Sequence, residues 1–531
     1  MVKTWDPAID ISPVETKILK LCKKHKLWEF LRKHRHRILD DELRTALWAM
    51  YASSGRGKPV CPEQLALAMI LQVAFHVPDH EVPTLTAVDR RWRMVLDCLD
   101  NEADEAAFSQ GSVWHFRERA RAHGFMRTLL DKTVSIAQET SGFSHKHLRV
   151  MIDSSPLLGA GQVEDSFNLI GRAIARLVSL AAVESGREEA ELVDELELSV
   201  ASAKSVKAAL DVNWHQPTAR NEALQALLNQ FNRLRAWLAG QFTSQQLTAP
   251  PLADAIDLVE KLIDQDTEPD PDDPKGGRRR IKEGGEDRQV SISDGDMRHG
   301  RKSKTRLFVG YKRHASVDAD IQGLFRSVHV TPGNQREYDG AEPLLEAIEA
   351  GGGSVSELHF DRGYLAAEAI HERRKAGMKI VSKPPTTKRR KNGKLGKIDF
   401  DVDVAGGTVV CPKGQCRKIT HGKSSTYATF GGKKCQGCEL AERCLPKCGQ
   451  KVIILHAYEE LHQEMAKELT TVEGRAVRRE RARVEHALAR LGAVQGTRAR
   501  YRGLAKNQAH TELCAAVANF YVLDALFEEA A

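Results

Sequence analysis

The spacing of apolar and polar residues divides the chain into stretches of helical and of strand character. Helical spacing runs through residues 1–140 and 165–265, and it returns at about 457–492 and 506–528. Such spacing is typical of helices that bury one side against a core. These four stretches are therefore predicted to be mostly helical.

Short, strongly apolar segments between these stretches predict strands. The predicted strands are residues 148–153, 307–317, 324–330, 358–361 and 379–381. The second and third flank an Asp/Gly turn and so predict a hairpin, while the first and fourth end in Asp153 and Asp361. Helices are predicted at 341–350 and 365–375. If 165–300 and 383–456 are set aside, three strands are followed by helix, strand, helix, strand and closing helices. This order predicts an α/β fold whose first three strands are antiparallel.

Composition places the chain among ordinary globular proteins. Its 531 residues would fill roughly three or four domains, and 41% hydrophobic with 28% charged residues exclude a mainly disordered chain. No apolar run approaches the length of a membrane span, and the first residues lack the pattern of a secretory signal. These features predict a cytoplasmic protein that does not associate with membranes.

Three carboxylates stand where a metal-dependent site could form. Ligand sites of open α/β sheets lie beyond the strand ends, where Asp153 and Asp361 are predicted, and Glu485 lies on a late helix. Carboxylate oxygens suit Mg²⁺, and two such ions can activate the attacking oxygen and stabilise the leaving oxygen of a phosphoryl transfer. Taken singly, each aspartate also fits a turn or a helix cap, and Glu485 fits a surface ion pair with Arg481.

A strongly basic stretch surrounds Glu485. Residues 475–506 contain nine arginines and one lysine, opposed by two glutamates. This density favours contacts to nucleic-acid phosphates over a solvated helix face, which usually mixes charges of both signs. The candidate DNA-binding residues are Arg478, Arg479, Arg481, Arg483, Arg490, Arg498, Arg500 and Arg502. Two further basic segments lie at 299–306 and 388–394.

The cysteines are clustered. Six of the ten fall between residues 411 and 448, and in a reducing compartment this indicates metal binding rather than disulfides. Close thiolates hold Zn²⁺ in closed structural sites, and this segment has little apolar sequence for a core of its own. The predicted ligands are Cys411, Cys435, Cys438 and Cys444, with Cys416, Cys448 and His421 as alternatives.

Several motifs together resemble one family. IDSSPL, FDRGYLAAEAI and the basic C-terminal segment beginning RRERARVEHALARL are similar to bacterial insertion-sequence transposases of the Asp-Asp-Glu type, as are PEQLALAMILQ and VWHFRERARAHG. The CPKG, CxxC and later Cys spacing also occurs in such transposases. In the last-helix signature, Arg478 stands where relatives have Tyr and Gly492 where they have Lys. Arg490 or Arg498 is a candidate replacement for that Lys.

The resemblance implies an RNase H-like mixed five-stranded sheet flanked by helices. The implied divisions are a helical DNA-binding domain at 1–140 and a catalytic domain at 145–531, the latter interrupted by a helical insertion at 162–274 and a cysteine-rich, zinc-binding insertion at 383–456. Asp153, Asp361 and Glu485 would form the catalytic triad and bind Mg²⁺ or Mn²⁺.

The implied activity is DNA transposition. Such a protein binds the terminal repeats of its element, hydrolyses a phosphodiester bond and transfers the freed strand to target DNA, at least as a homodimer once two ends are paired. It would work in the cytoplasm, at the nucleoid. The alternatives are an RNase H-like nuclease or resolvase that does not transfer strands, and a non-catalytic DNA-binding regulator derived from a transposase.

Overall fold

We analysed a computed structural model of the chain. It describes residues 5–51, 60–101, 105–203, 205–272, 277–281, 285–303, 305–383, 393–422, 425–468 and 471–530. The side chains of Arg475 and Arg478 lie outside this description, as does most of the basic segment at 388–394.

The chain begins with a helical region. Its helices are α1 (Pro13–Leu21), α2 (Leu27–Ile38), α3 (Asp41–Ala49), α4 (Pro62–Ala74), α5 (Val82–Val88), α6 (Arg90–Leu96), α7 (Gln110–Ala122) and α8 (Phe125–Ser141). Pro62 occupies the first turn of α4, where its missing N–H costs no hydrogen bond. Ser12 and Glu15 form a capping box that starts α1.

The first strand is followed by a second helical region. Its elements are β1 (Leu148–Leu158), α9 (Ser166–Ser185), α10 (Glu189–Glu195), α11 (Val206–Leu210), α12 (Pro217–Gln241), α13 (Ser244–Leu247), α14 (Leu252–Asp266), β2 (Thr267–Pro269) and β3 (Arg278–Arg280). Helix α9 is long and apolar enough to cross a membrane by length and composition, but 61% of its most apolar window is buried. It packs on α12 and α14 within a separate apolar core, so α9 has the surroundings of a core helix.

The central sheet is completed by the next elements. These are β4 (Arg298–Arg301), β5 (Leu307–Asp318), β6 (Phe325–Pro332), α15 (Ala341–Ala350), β7 (Val355–Phe360), α16 (Glu368–Lys375) and β8 (Lys379–Ser382). The strand order is β4–β5–β1–β7–β8, and β6 pairs with β5 beyond the part that β4 occupies. β5 is antiparallel to β1, β4 and β6, whereas β7 is parallel to β1 and β8.

A small cysteine-rich unit and four helices follow the sheet. These elements are β9 (Asp401–Asp403), β10 (Thr408–Val410), β11 (Cys416–Lys418), β12 (Thr420–His421), β13 (Thr426–Phe430), α17 (Lys433–Gln436), α18 (Ala441–Cys444), β14 (Lys451–Leu455), α19 (Glu459–Glu468), α20 (Val472–Glu480), α21 (Ala482–Gln495) and α22 (Leu504–Ala530). We expected the cysteine-rich unit to have little core, and this was wrong: Val409, Ala428, Phe430 and Ile453 are buried together across its two small sheets.

Helices cover both faces of the central sheet. Ile152 in β1 packs with α15, α16 and α19, whereas Met151 faces the core shared by the N-terminal helices, α21 and α22. Asn519 of α22 links α8 and β6 within this core. Its side-chain N–H groups donate to the Thr133 hydroxyl of α8 and to the Phe325 carbonyl of β6, and its side-chain oxygen accepts from the Phe325 N–H. The N-terminal helices and the sheet are therefore packed on one another through α22.

The predicted mixed α/β arrangement is confirmed, with its antiparallel strands first and parallel strands last. Two details differ. The described part of the chain has six strands in the central sheet rather than five, because the short basic strand β4 pairs with the start of β5. The helical stretch at 457–492 is divided into α19, α20 and α21, with a break at Arg481 between the last two.

Candidate active site

Asp153 lies on the central strand of the sheet. It occupies β1 opposite Ala315 of β5, and one carboxylate oxygen accepts a 2.7 Å hydrogen bond from the Ser154 N–H. The pKa of Asp153 is raised from 3.8 to about 6: burial is the main cause and the carboxylates of Asp361 and Glu337 add to it, while the Ser154 N–H and the Arg481 guanidinium oppose them. The site thus gathers negative charge around a partly buried carboxyl group.

Asp361 lies beside Asp153 because of the strand register. β1 and β7 are parallel with Met151 opposite His359, so the residues two positions further along each strand emerge at the same edge. Asp361 begins a short 3₁₀ turn and accepts a 2.7 Å hydrogen bond from the Arg362 N–H. The structure therefore brings the two aspartates together, but only Asp361 follows the end of its strand. The prediction that a strand ends at Asp153 was wrong, because pairing with β5 continues β1 to Leu158.

Glu485 lies further out, on the exposed face of α21. Its side chain is 64% exposed and meets Arg481 at 3.6 Å, while Arg481 also lies 3.4 Å from Asp361. Glu485 and Arg481 line a cavity of about 380 Å³ with His359 and Ser382, which are near the ends of β7 and β8. Arg481 thus stands between Asp361 and Glu485. Within the described residues, no three His, Cys, Asp or Glu side chains are arranged to hold a metal ion.

The sequence analysis missed a fourth carboxylate, Glu337. It lies in a 3₁₀ turn after β6, where its Oε1 accepts a 3.1 Å hydrogen bond from the Ser154 hydroxyl. Beneath it, the buried Tyr364 hydroxyl lies 3.0 Å from His314 Nδ1. Burial raises the pKa of Tyr364, and the nearby Asp153 and Glu337 raise it further. The only sequence signal was that Glu337 follows the strand β6 within a few residues, and its separation from Pro332 gave no indication that it would reach Ser154.

The four predicted cysteine ligands surround one cavity. Cys411, Cys435, Cys438 and Cys444 line a space of about 240 Å³. Burial raises the pKa of Cys444, and the other three thiols raise it further. Backbone N–H groups donate to two sulfurs, at 3.2 Å from Gln415 to Cys411 and at 3.4 Å from Leu440 to Cys438.

The alternative ligands lie on the surface. Cys416, Cys448 and His421 are exposed and are absent from this cavity. The four thiols are near one another, although in the described part of the chain they do not meet the geometry of a metal centre.

Residues 410–523 match the family model of a transposase DDE domain. This region is therefore similar to the DDE domain of transposases. No curated protein and no solved structure matches the chain. The match supports a DDE-type transposase, and hence a DNA-binding enzyme of the kind that generally uses divalent metal ions.

The matched residues include Glu485 and all six clustered cysteines. The match begins immediately before Cys411, so it covers most of the cysteine-rich unit but not β9. Asp153 and Asp361 precede the matched residues, and their assignment depends on the sheet geometry.

The arginines of the matched region have different surroundings. Arg483 and Arg498 donate to the carbonyls of Ala319 and Gly159, and Arg500 donates to the Val77 carbonyl and pairs with Asp79 at 3.0 Å. Arg490 lies over Gly323, and burial lowers its pKa. Arg479 and Arg502 are exposed and have no ion pair or hydrogen bond with any described residue. Arg481 pairs with the carboxylates of Asp361 and Glu485. The side chain of Arg478 is outside the described part of the structure.

Proposed function

We propose that this protein is a DNA transposase that cuts phosphodiester bonds at the ends of its element and joins the freed strands to target DNA. The observation that carries the proposal is the parallel pairing of β1 with β7, which places Asp153 and Asp361 side by side at one edge of the sheet. The matched region supplies Glu485, which Arg481 links to Asp361. An RNase H-like core is supported by the strand order, in which an antiparallel hairpin precedes two parallel strands.

The donor set fits a hard divalent cation. Asp153, Asp361 and Glu485 would hold Mg²⁺ or Mn²⁺, which when bound activates the attacking oxygen and stabilises the leaving oxygen. In the protein alone, the Arg481 guanidinium offsets the negative charge of Asp361 and Glu485. We infer that Glu485 joins the aspartates when its side chain releases Arg481, which then becomes available to a DNA phosphate.

DNA binding is proposed for the surface next to these carboxylates. Arg479 lines the same cavity as Glu485, and Arg502 is exposed without a partner among the described residues. Arg483, Arg490, Arg498 and Arg500 contact the chain itself, so we assign them a smaller part in phosphate binding. Joining two ends requires two active sites, and we therefore propose a homodimer on DNA.

The cysteine-rich unit is proposed to hold one structural Zn²⁺. Cys411, Cys435, Cys438 and Cys444 line a common cavity, and backbone N–H groups orient two of the sulfurs. The binding free energy of Zn²⁺ would drive the side-chain movements that bring the four thiolates into its coordination shell. The role is structural because this unit has its own core, apart from the carboxylates.

Strand transfer distinguishes the proposal from its alternatives. The full-length protein is incubated with Mg²⁺, a duplex that carries the inverted repeat flanking the gene and ends in a 3′-hydroxyl, and a supercoiled plasmid. A transposase joins the duplex to the plasmid, which a gel shows as labelled open circles. Cleavage without joining would instead indicate a nuclease or resolvase. Binding of the repeat without cleavage or joining would indicate a regulator and would contradict the proposal.

A further inference from the structure

Glu337 bridges the middle of β1 and the turn after β7, the two segments that carry the aspartates. Its Oε1 accepts the hydrogen bond from Ser154, the residue next to Asp153 in β1. Its Oε2 lies against Gly363, two residues after Asp361, so closely that a Cβ at Gly363 would lie 2.1 Å from it. One side chain therefore contacts both the Asp153 strand and the Asp361 turn.

The turn that carries Glu337 is itself fixed on the sheet. Gly340 ends this turn against the buried ring of His314 in β5, where a Cβ would lie 2.4 Å from the ring. His314 in turn contacts Tyr364 and Thr331, at 3.0 Å each. The backbone of the Glu337 turn is thus held in place by close packing, so the position of its carboxylate is defined before any ligand binds.

We propose that Glu337 is a positioning residue of the proposed active site: it holds β1 at Ser154 against the Asp361–Gly363 turn and so sets the spacing of the two aspartates that would bind a divalent cation. The inference rests on the proposed function, because it assigns Glu337 a task at the Asp153–Asp361 pair. Its effect passes through Ser154 and Gly363. Its removal should therefore lower the affinity for the cation, with a smaller effect on the free energy of unfolding.

Two substitutions remove the same contact in different ways. Glu337→Ala deletes the carboxylate, whereas Gly363→Ala places a methyl group where Oε2 lies and pushes the intact side chain away from Ser154. Each should weaken Mn²⁺ binding by about 10-fold or more, the usual effect of losing a residue that supports a metal ligand. The double variant should bind Mn²⁺ no more weakly than Glu337→Ala alone, because both changes remove one interaction.

The experiment is calorimetric titration of the full-length protein with Mn²⁺ alone, with thermal unfolding measured on the same samples. Glu337→Gln retains an oxygen that can accept the Ser154 hydrogen bond, so its loss of affinity should be smaller than that of Glu337→Ala. Glu346→Ala is the matched control, since Glu346 lies exposed on α15 close by in the chain. If Glu337→Ala fails to fold, Gly363→Ala provides the same test with Glu337 present.

The outcomes separate this inference from the proposed function. If the wild-type protein does not bind Mn²⁺, or Asp153→Asn binds it as well as wild type, the proposed function fails and the inference with it. If Asp153→Asn loses affinity while Glu337→Ala and Gly363→Ala bind like wild type, only the inference is overturned. Additive losses in the double variant would also overturn it, since the two residues would then act independently.

Discussion

The two candidate metal sites are built in opposite ways. The carboxylate site is assembled by the sheet, because Asp153 and Asp361 are distant in sequence and meet only through the parallel pairing of β1 with β7. The thiol site is assembled locally, since Cys411, Cys435, Cys438 and Cys444 come from neighbouring turns of one small unit. The first depends on the fold of most of the chain, and the second depends on a short segment and its metal.

The sites share an electrostatic property. Burial raises the pKa of Asp153 and that of Cys444, and nearby acidic groups raise each of them further. Both sites thus hold groups that disfavour one another's ionisation until a cation binds. The difference lies in the surroundings: Glu485 is 64% exposed beside Arg479 and Arg481, whereas three of the four half-buried thiols pack against the apolar core of their own unit. The first arrangement suits a catalytic site open to DNA, and the second suits a structural site.

The largest effect is expected at the carboxylate site. Asp153→Asn or Asp361→Asn should lower DNA cleavage by more than about 100-fold, because losing a direct ligand costs more than losing a supporting residue. Binding of the terminal repeat should be largely retained, since the amide preserves shape. Cleavage and gel-shift assays on the same samples measure both. Asp254→Asn, at an exposed residue of α14, is the control, and cleavage near the wild-type rate would remove that aspartate from the site.

A second test breaks the thiol site alone. Protein purified without added metal should contain one Zn²⁺ per chain, and Cys435→Ser should lose it and open the cysteine-rich unit first. Elemental analysis and hydrogen exchange over 393–468 measure the two effects. Cys416→Ser, at an exposed thiol outside the cavity, should retain the zinc. A folded wild-type protein without zinc would show that the unit relies on its apolar core.

The smallest expected effect concerns the DNA surface beside the carboxylates. Arg479→Ala and Arg502→Ala should each lower the slope of log affinity against log salt by about 0.9, since each would remove one phosphate contact. The loss should be similar on terminal and unrelated duplexes, because phosphate contacts carry little base information. Arg490→Ala should leave the slope unchanged, as its guanidinium lies over Gly323. Equal slopes for all three variants would argue against this surface.

Local sequence patterns predicted most strands of the sheet, but they predicted neither the position of Glu337 nor the strand β4. The strands that carry Asp153 and precede Asp361 could be found because buried strands are apolar. The end of β1 was misplaced at Asp153, because the half-buried residues that follow it still pair with β5 as far as Leu158. Glu337 was not found, since its position depends on how the turn after β6 packs on His314. Strand β4 was missed because its residues, Arg298–Arg301, are basic and pair only through β5.

Local sequence patterns also could not predict which charged side chains are buried. Arg490 and Arg500 belong to the same basic stretch as Arg479, yet Arg490 lies over the turn between β5 and β6 and Arg500 reaches Asp79 after α4. A basic sequence shows how much charge is present, but only tertiary packing decides which guanidinium groups remain free for phosphates. The grouping of Cys411, Cys435, Cys438 and Cys444 around one cavity was easier to predict, because it is a property of one segment.

The packing of α22 also bears on how the protein is made. This helix is synthesised after α2, α4 and α8, yet it supplies much of the core in which they are buried. During synthesis, the apolar faces of the N-terminal helices therefore remain partly exposed until the last described helix has left the ribosome. A shortened product that ends before α22 would lack Asn519 and its bonds to α8 and β6, and it would be a ready substrate for proteases. Residues 1–140 are therefore not expected to persist as an independent repressor fragment.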